Sequence, residues 1–232
     1  MPEQREVRLE HMTRGEFRRS LEAGQLRLAI IATGSIEQHL EHLTFGHDIA
    51  ASVYVAERVA ERLYPNVVVC APVAIGISEH HMFAPGSLTV WPGTWLSVVF
   101  DAVESFARHG VKRVLVLNGH GGNQAPAQAA LPQSKMRFER EYPGFEVRVH
   151  SYWDLVPKDF WDRVLDTKHV PGHAQEMETA FALYAFPDSV RRDALVSQED
   201  KEPSYATREK GRLIVEALVD AVSKTAQEML AY

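Results

Sequence analysis

Four short runs of apolar residues recur along the chain, and each has the length of a buried β-strand. They lie at residues 26–32, 67–73, 111–117 and 145–150. The segments between them space their apolar residues as amphipathic helices do. Strands that alternate with helices form βαβ units, whose right-handed crossovers cover a parallel sheet on both faces. The pattern therefore predicts an α/β fold of three layers, with a mainly parallel sheet between two layers of helices.

Local signals set several helix boundaries. Thr13 followed by Glu16 has the spacing of a capping box, which predicts the start of the first helix, and Gly24 suits its left-handed end. Pro126 and Pro132 predict that the helix after the third strand is broken into fragments. Three further helices are expected at residues 49–63, 94–108 and 207–231.

Length and composition fit one ordinary globular domain. The chain has 232 residues, of which 45% are hydrophobic and 24% are charged, and it contains no repeat and no linker rich in Pro, Gly or Ser. We therefore expect residues 1–232 to form a single domain. The lone cysteine, Cys70, lies in the second apolar run and is expected to be a buried thiol.

Charge and hydropathy narrow the classes of partner. The net charge of -6 gives none of the basic surface that draws a protein to nucleic acid or to an anionic membrane, so a small-molecule ligand is expected. Residues 1–10 are polar and unlike a signal sequence, and no apolar run reaches the roughly 18 to 20 residues that span a bilayer. A cytoplasmic location is the expectation that follows.

Histidines concentrate in segments that follow a predicted strand or open a predicted helix. In open parallel sheets, ligands bind beyond the carboxyl ends of the strands, so residues that follow different strands converge there. The histidines in question are His39, His42, His47, His80, His81, His120 and His173. Their placement predicts one shared site at that edge of the sheet.

The segment after the first strand, residues 34–48, contains a carboxylate and an imidazole two positions apart, Glu37 and His39. In extended backbone such residues project to the same side, so both could bind one metal cluster. Asp48 offers a second carboxylate, and this mix of ligands suits Zn, Mn or Fe. Two alternatives stay open: Asp48 caps the helix that follows it, and Glu37 with His39 forms a solvated loop pair.

Loops rich in glycine and histidine follow the second and third strands. Residues 118–123 hold His120 among three glycines, which permit a tight turn or a close approach to a ligand. A phosphate-binding loop is the alternative, although the Lys of a P-loop is missing. The loop at 76–87, which contains Ser78 and His80, either lines the pocket or is an ordinary polar loop.

A last candidate segment, residues 172–179, opens a helix whose later residues are apolar. His173 and Glu176 are three positions apart, so they share a face if the helix has begun by His173, whereas Glu178 would point elsewhere. Glu176 is therefore the favoured ligand of the two carboxylates. The alternative is that acidic residues stand here only because a helix N-terminus attracts negative charge.

Taken in order, these segments resemble the motifs of the creatininase family, the creatinine amidohydrolases. The family reads approximately G-S-x-E-Q-H-G-x-H-L-P-x-x-T-D, then N-G-H-G-G-N, then H-A-G-E-x-E-T. This chain has matching residues at 34–48, 118–123 and 173–179. A loop of the form G-x-S-x-x-H-x-x-x-P-G-[ST] stands between the first two motifs, at 76–87.

The resemblance implies parallel strands flanked by helices, two divalent metal ions (Zn, Mn or Fe), and hydrolysis of a C–N bond in a small, often cyclic amide. It also implies a ring-shaped homohexamer. Carried over by position, Glu37 and His120 would bind one metal, His39 would bind the other, and Asp48 would bridge them. A metal-activated water would then attack the substrate.

Departures from the family pattern point away from creatinine. Creatininases have a Tyr-Glu pair where this chain has Gly121-Gly122, and that Glu binds a metal there, so Glu176 is the predicted replacement. Leu40-Glu41 and His47 replace other family residues. These substitutions are expected at the rim of the site, where they favour a more polar or cationic substrate.

Roles in catalysis complete the prediction. His173 would carry the proton to the departing nitrogen, and Glu178 would orient His173 or act as the base. The residues expected to bind substrate are Ser78, His80, Gly121, Gly122 and Glu41. Two other functions stay open: hydrolysis of a C–C bond or a lactone, since activated hydroxide attacks any well-placed carbonyl, and a non-catalytic binding protein that has kept the fold.

Overall fold

The computed structural model describes residues 6–231, with the backbone alone at residues 71 and 72. Its sheet has four parallel strands in the order β2-β1-β3-β4. The strands are β1 (Leu28–Thr33), β2 (Val67–Val73), β3 (Arg113–Asn118) and β4 (Glu146–Ser151). β2 has the predicted bounds, and the other three begin one or two residues later than predicted. The predicted parallel sheet is confirmed.

Eight α-helices lie in the described residues: α1 (Arg14–Glu22), α2 (His47–Arg62), α3 (Pro92–Arg108), α4 (Gly121–Glu141), α5 (Lys158–Val164), α6 (Glu176–Ala185), α7 (Arg192–Ser197) and α8 (Arg208–Leu230). The capping box at the start of α1 is confirmed, because the Thr13 side chain accepts from the Glu16 amide and the Glu16 carboxylate accepts from the Thr13 amide. α2 begins two residues earlier than expected, which places Asp48 in its first turn.

The core is divided by the sheet into two apolar layers. Successive side chains of β1 point to opposite faces: Leu28 and Ile30 pack with α2, α6 and α8, whereas Ala29 and Ile31 pack with α3 and α4. Both faces are buried, as the near-continuous apolar runs of the strands require. The three-layer architecture is therefore confirmed within a single domain.

One helix differs from its prediction. α4 runs without interruption from Gly121 to Glu141 and contains both Pro126 and Pro132, so the expected fragmentation is wrong. A proline removes one backbone donor and disturbs the preceding turn, but a helix can continue through it when packing holds the helix in place. α4 is held in this way, because Ala127 and Phe138 are buried against the sheet and α3.

Among the described residues, none of the helices combines the length and the apolar character that a bilayer span requires. The loops after β1, β2 and β3 all leave the sheet at its carboxyl edge, because the three strands are parallel. α2 and α4 begin directly after two of these loops. This edge therefore collects the polar segments singled out in the sequence.

Candidate metal centre

Glycines let the start of α2 approach the ends of two strands. A Cβ on Gly34, which follows β1, would lie 2.5 Å from the backbone nitrogen of Ile49, and a Cβ on Gly119, which follows β3, would lie 2.5 Å from the carbonyl oxygen of Asp48. Real side chains do not fit at such distances, so only glycine permits this packing. As a result, Asp48 in the first turn of α2 is brought between the loops that carry Glu37 and His120.

Asp48 stands at the centre of the cluster. Its Oδ1 lies 2.9 Å from Nε2 of His39, and its Oδ2 lies 2.9 Å from Nδ1 of His120. All three side chains are buried, with exposures of 3% or less. The two carboxylate oxygens thus face two different imidazoles, which is the arrangement expected of a bridging carboxylate.

Backbone carbonyls fix the outer nitrogen of each imidazole. Nδ1 of His39 lies 3.1 Å from the carbonyl oxygen of Glu37, and Nε2 of His120 lies 3.1 Å from that of Ile77. A carbonyl only accepts hydrogen bonds, so each outer nitrogen carries a proton. In the neutral rings, the inner nitrogens therefore offer lone pairs toward Asp48. A metal-binding histidine typically has its second nitrogen held in this way.

Glu37 contributes a second buried carboxylate. Its Oε2 lies 3.4 Å from Nδ1 of His120 and has no hydrogen-bond partner among the described residues. A buried carboxylate oxygen without a donor is costly, unless a cation compensates it. The orphaned oxygen therefore fits a metal ligand.

A third buried carboxylate comes from the first turn of α6. Oε2 of Glu178 lies 3.8 Å from Nε2 of His39 and accepts a hydrogen bond of 2.6 Å from the backbone nitrogen of Ala174. Ligand atoms of His39, Asp48 and Glu178 all lie within 4.8 Å of one another, and the same holds for two further groups: Glu37, His80 and His120, and Glu37, His39 and His173. Asp48 connects the first two groups, because it contacts both His39 and His120.

Charges within the cluster are strongly perturbed. Burial alone would lower the pKa values of His39 and His120, but the Asp48 carboxylate raises the first to about 9, and Asp48 with Glu37 raises the second to about 10. Burial would raise the pKa of Asp48, but the two imidazoles hold it below its usual value. For Glu178, burial dominates and raises the pKa to about 8, although His39 opposes this.

No lysine or arginine neutralises these three carboxylates within the part of the chain that the structure describes. Every ion-pair partner of Glu37, Asp48 and Glu178 there is a histidine. Buried carboxylates are rarely left without a compensating charge. The set of carboxylate and imidazole donors fits divalent metal ions such as Zn, Mn or Fe.

Glu176, the ligand favoured by helical spacing, is not brought to this cluster. α6 begins at Glu176, so His173 lies before the helix and the expected shared face does not exist. The Glu176 carboxylate instead accepts from the amides of Asp166 and Thr167 and pairs with the Lys210 ammonium of α8. Burial raises its pKa, but Lys210 and these amides outweigh burial and keep the pKa below its usual value.

Three half-buried side chains form the mouth of the cluster. Nε2 of His81 and Nδ1 of His173 lie 3.4 and 3.5 Å from Oε1 of Glu37, and their rings stack with centroids 4.2 Å apart. Nε2 of Gln38 lies within hydrogen-bond distance of both rings. His173 thus stands next to the cluster, as the sequence predicted.

The residues expected to bind substrate are divided between the interior and the surface. Ser78 is fully buried behind His120, with its hydroxyl near Nε2 of that ring and near Oγ of Ser35. His80 is exposed and its ring stacks over that of His120. Gly121 and Glu41 are exposed.

Gly122 lies too close to other groups to carry a side chain. A Cβ there would lie 2.1 Å from the Ile77 carbonyl oxygen and 2.6 Å from Nε2 of His120. The position at which the family resemblance implies a metal-binding Glu is therefore closed to any side chain in this backbone. A carboxylate for the second ligand set has to come from another element.

His47 does not lie at the rim of the site, where the departure from the family motif predicted it. It is 2% exposed, its ring centroid lies 5.3 Å from that of His39, and it packs against Phe181 and Phe186. Burial lowers its pKa to about 3, so the ring is neutral. His47 supports His39 from behind and does not face a substrate.

Sequence reasoning missed Gln38 and the Ile77 carbonyl as members of the site. Gln38 stands inside the E-Q-H motif between two predicted ligands, so its position was available as a signal. His81 was among the histidines expected at this edge of the sheet, but no specific role was predicted for it. The carbonyl of Ile77 left no signal, because backbone groups have no sequence identity.

A cavity of about 940 Å³ opens beside the cluster. Gln38 lines it on the side of His81 and His173, and Leu40, Phe45 and Phe83 supply apolar surface. Three carboxylates and one guanidinium also line it, those of Glu41, Glu199, Asp200 and Arg191. The cavity therefore has a mixed, predominantly acidic lining and meets the mouth of the cluster at Gln38.

Two characterised hydrolases are similar to this chain in sequence. A creatinine amidohydrolase from Pseudomonas putida is 27% identical over 94% of this chain and 95% of its own length. A 3-dehydro-scyllo-inosose hydrolase from Thermotoga maritima is 26% identical over 84% of the chain, which spans only 61% of that relative.

The fold is also similar to solved creatininase structures. A mutant creatininase of Zn-Zn type and a creatininase with Mn superpose with TM-scores of 0.84 and 0.83, each at 25% identity over 96% of this chain and 98% of that one. The sequence profile of the family described as creatinine amidohydrolase matches residues 10–204. The chain therefore belongs to the creatininase family.

Proposed function

We propose that this protein is a dinuclear metal-dependent hydrolase that attacks the C–N bond of a small, cyclic amide other than creatinine. The observation that carries the proposal is Asp48, whose two oxygens each face the inner nitrogen of a different imidazole at 2.9 Å. Both outer nitrogens face backbone carbonyls, so both inner nitrogens are available as ligands.

The donors divide into two sets that share Asp48. Glu37 and His120 belong to the first set, and His39 and Glu178 belong to the second. Glu178 replaces Glu176 as the proposed ligand, because Glu176 is already neutralised by Lys210. Two divalent cations would offset the three buried carboxylates, which have no lysine or arginine partner within residues 6–231.

Two divalent ions at this cluster would polarise a carbonyl and supply hydroxide near neutral pH. The chain's own groups do the rest. Glu37, fixed between His120 and the mouth histidines, holds the geometry of the first set, and buried His47 keeps water away from the back of His39. His173 stands between the cluster and solvent, where it can contact the reacting carbonyl or the departing nitrogen.

The cavity supports a polar substrate with positive charge. Its wall carries the carboxylates of Glu41, Glu199 and Asp200 against one guanidinium, that of Arg191. Opposite charges attract a ligand and orient it over a low-dielectric wall. Leu40-Glu41, which departs from the family pattern, lies in this wall, and this supports the choice of a substrate other than creatinine.

A second candidate function is hydrolysis at a cyclic ketone, with cleavage of a C–C bond. The observation in its favour is the similarity to an inosose hydrolase, since an inosose is a carbocyclic ketone. The same donor set serves both reactions, because the attacked group is a carbonyl in each. The two candidate reactions differ only in the bond that is cleaved, a C–N bond in the first and a C–C bond in the second.

Elemental analysis and a substrate panel test both candidates. We expect about two divalent ions per chain in protein purified without chelator. Cyclic amides, N-formyl compounds, lactones and cyclic ketones should be assayed with Zn, Mn and Fe, and turnover of a cyclic amide is the expected result. Turnover of a ketone alone would favour the second candidate.

The variant Asp48→Asn tests the role of the central carboxylate. It keeps the size of the side chain and removes the charge that two imidazoles face, so it should lose both metals and all turnover. If the original protein binds no metal, the dinuclear proposal is contradicted and the protein fits a non-catalytic member of the family. An Asp48→Asn variant with unchanged metal content would also contradict the dinuclear proposal.

A further inference from the structure

Gln38 joins the two histidines at the mouth of the cluster through one amide group. Its Nε2 lies 2.9 Å from Nδ1 of His81 and 2.8 Å from Nε2 of His173. It lies directly between Glu37 and His39 in the chain, and its backbone nitrogen donates to Oγ of Ser87 over 2.9 Å. Gln38 is therefore held on both its backbone and its side chain.

The orientation of the Gln38 amide is fixed by a backbone donor. The nitrogen of Leu40 donates to Oε1 of Gln38 over 2.9 Å, which only an oxygen can accept. Leu40 has a φ of 53°, a left-handed conformation that costs a leucine energy and that turns its N–H back toward Gln38. The atom facing the two histidines is consequently the amide nitrogen.

A donor at that position decides where the histidine protons lie. The two hydrogens of an amide nitrogen can each be donated to one ring nitrogen, provided that both nitrogens are acceptors. Nδ1 of His81 and Nε2 of His173 must then be unprotonated. In neutral rings the protons lie on Nε2 of His81 and Nδ1 of His173, and these are the two nitrogens that face Oε1 of Glu37, at 3.4 and 3.5 Å.

We propose that Gln38 is a positioning residue that fixes the tautomers of His81 and His173, so that Nε2 of His81 and Nδ1 of His173 carry the ring protons and face Oε1 of Glu37. The consequence for catalysis rests on the proposed hydrolase function: His173 donates a hydrogen bond from Nδ1 to the reacting carbonyl and does not relay a proton to the departing nitrogen. The other tautomer of His173 would place an N–H group at Nε2 against the N–H groups of Gln38, 2.8 Å away.

The same geometry limits His173 as a base. To accept a proton on Nδ1, the neutral ring would need its proton on Nε2, where the Gln38 donor stands 2.8 Å away. Neutral imidazoles that polarise a carbonyl are an established catalytic device. The stacked His81 ring, 25° from the plane of His173, provides a second N–H aimed at the same carboxylate oxygen.

Nitrogen-15 NMR of the histidine rings tests the proton positions without any assay. Long-range proton–nitrogen spectra should be recorded for the metal-free and the zinc-loaded protein, with His81→Gln and His173→Asn used for assignment. We expect a protonated Nδ1 and an unprotonated Nε2 in His173, and the reverse in His81. A proton on Nε2 of His173 in both forms would overturn the proposal.

Gln38→Glu provides a reversal that a purely structural role would not produce. The carboxylate still accepts from Leu40 but can no longer donate, so Nε2 of His173 and Nδ1 of His81 should become protonated. Gln133→Glu, on the exposed face of α4, adds the same charge far from the pair and should leave the spectra unchanged. Unaltered ring protonation in Gln38→Glu would also overturn the proposal.

A pair of variants at His173 tests the catalytic consequence. Asn places an amide donor near the position of Nδ1 but cannot carry a proton, whereas Ala does neither. We expect the turnover of His173→Asn to be roughly 10-fold or more higher than that of His173→Ala. Equal losses in the two variants would reject the donor role. If no substrate is hydrolysed, the proposed function fails while the NMR result on Gln38 still stands.

Discussion

Glu176 and Glu178 stand two residues apart in the first turn of α6, and both are buried, yet the fold treats them in opposite ways. Glu176 points toward α8 and is satisfied by two backbone amides and the Lys210 ammonium. Glu178 points toward the cluster, where its only ion-pair partner among the described residues is His39.

The difference shows that burial alone does not identify a metal ligand. A buried carboxylate with a cation and several donors is a structural element, and removing its partner is what costs stability. A buried carboxylate whose neighbours are other carboxylates and imidazoles requires an external cation. The distribution of charge around each residue therefore decides between the two roles.

Within this pair of carboxylates, the largest expected effect is on the metal content of Glu178→Gln. We expect this variant to retain about one of two metals and to lose turnover roughly 10²–10⁴-fold, because His39 and Asp48 alone remain in the second set. Metal content by mass spectrometry of the purified protein, together with turnover of the panel compound that the original chain hydrolyses, measures both.

Glu176→Gln is the matched control for this variant. It should keep both metals and most of its turnover, and it should lose about 1–3 kcal/mol of stability, because a satisfied buried carboxylate loses hydrogen bonds. Urea unfolding measures that loss. If Glu176→Gln lost a metal and Glu178→Gln did not, the comparison would be reversed and the assignment of ligands would be wrong.

A smaller effect is expected from Gly122→Ala. The added Cβ would overlap the Ile77 carbonyl, and displacement of that carbonyl would release the outer nitrogen of His120. Loss of such a supporting hydrogen bond lowers metal affinity about 10- to 100-fold. Zinc titration against a competing chelator measures this, and Gly121→Ala, where a Cβ meets nothing within 4 Å, should retain the original affinity.

The last expected effect concerns stability alone, and it is a difference in the pH dependence of the free energy of unfolding of the metal-free protein. In the folded state, the pKa of Glu178 is raised to about 8, above its usual 4.5. Between pH 4.5 and pH 8, the Glu178 carboxyl is therefore protonated in the folded state and ionised in the unfolded state. The cost of ionised Glu178 therefore grows as pH rises from about 4.5 to 8. Glu178→Gln should gain stability relative to the original chain across this window, by at most about 1.4 kcal/mol per pH unit.

The stability of Glu176→Gln relative to the original chain should not change with pH in this window. The folded pKa of Glu176 is lowered, so its contribution is present above the unfolded pKa and is lost as pH falls through the folded one. Its stability difference from the original chain should therefore be constant between pH 5 and 8. Chemical unfolding at several pH values measures both differences, and parallel curves for the two variants would contradict the contrast.

Much of the fold was predictable, because parallel strands buried on both faces leave continuous apolar runs that can be recognised by eye. β2 was predicted at its observed bounds, and the capping box of Thr13 and Glu16 was confirmed. The prolines of α4 misled the prediction, since local helix preference was outweighed by burial of Phe138 and Ala127 on the sheet.

The candidate site was predictable where ligands lie close in sequence to a strand. Glu37, His39, Asp48 and His120 converge as expected at the carboxyl edge of the sheet. The choice between Glu176 and Glu178 failed, because it depended on where α6 begins. A shift of three residues in that boundary changes which side chains share a face. The expected homohexamer and cytoplasmic location stay predictions.

The sequence by itself determined the family, the layered fold and most of the residues at the centre, since these follow from motifs and from the period of apolar residues. Only the tertiary structure decided which carboxylate lacks a cation, which carbonyls fix the imidazoles, and which way the Gln38 amide points. These properties depend on atoms from distant segments, such as Lys210 for Glu176 and Ile77 for His120. Electrostatic partners and hydrogen-bond direction are relations in space, and residue order does not encode them locally.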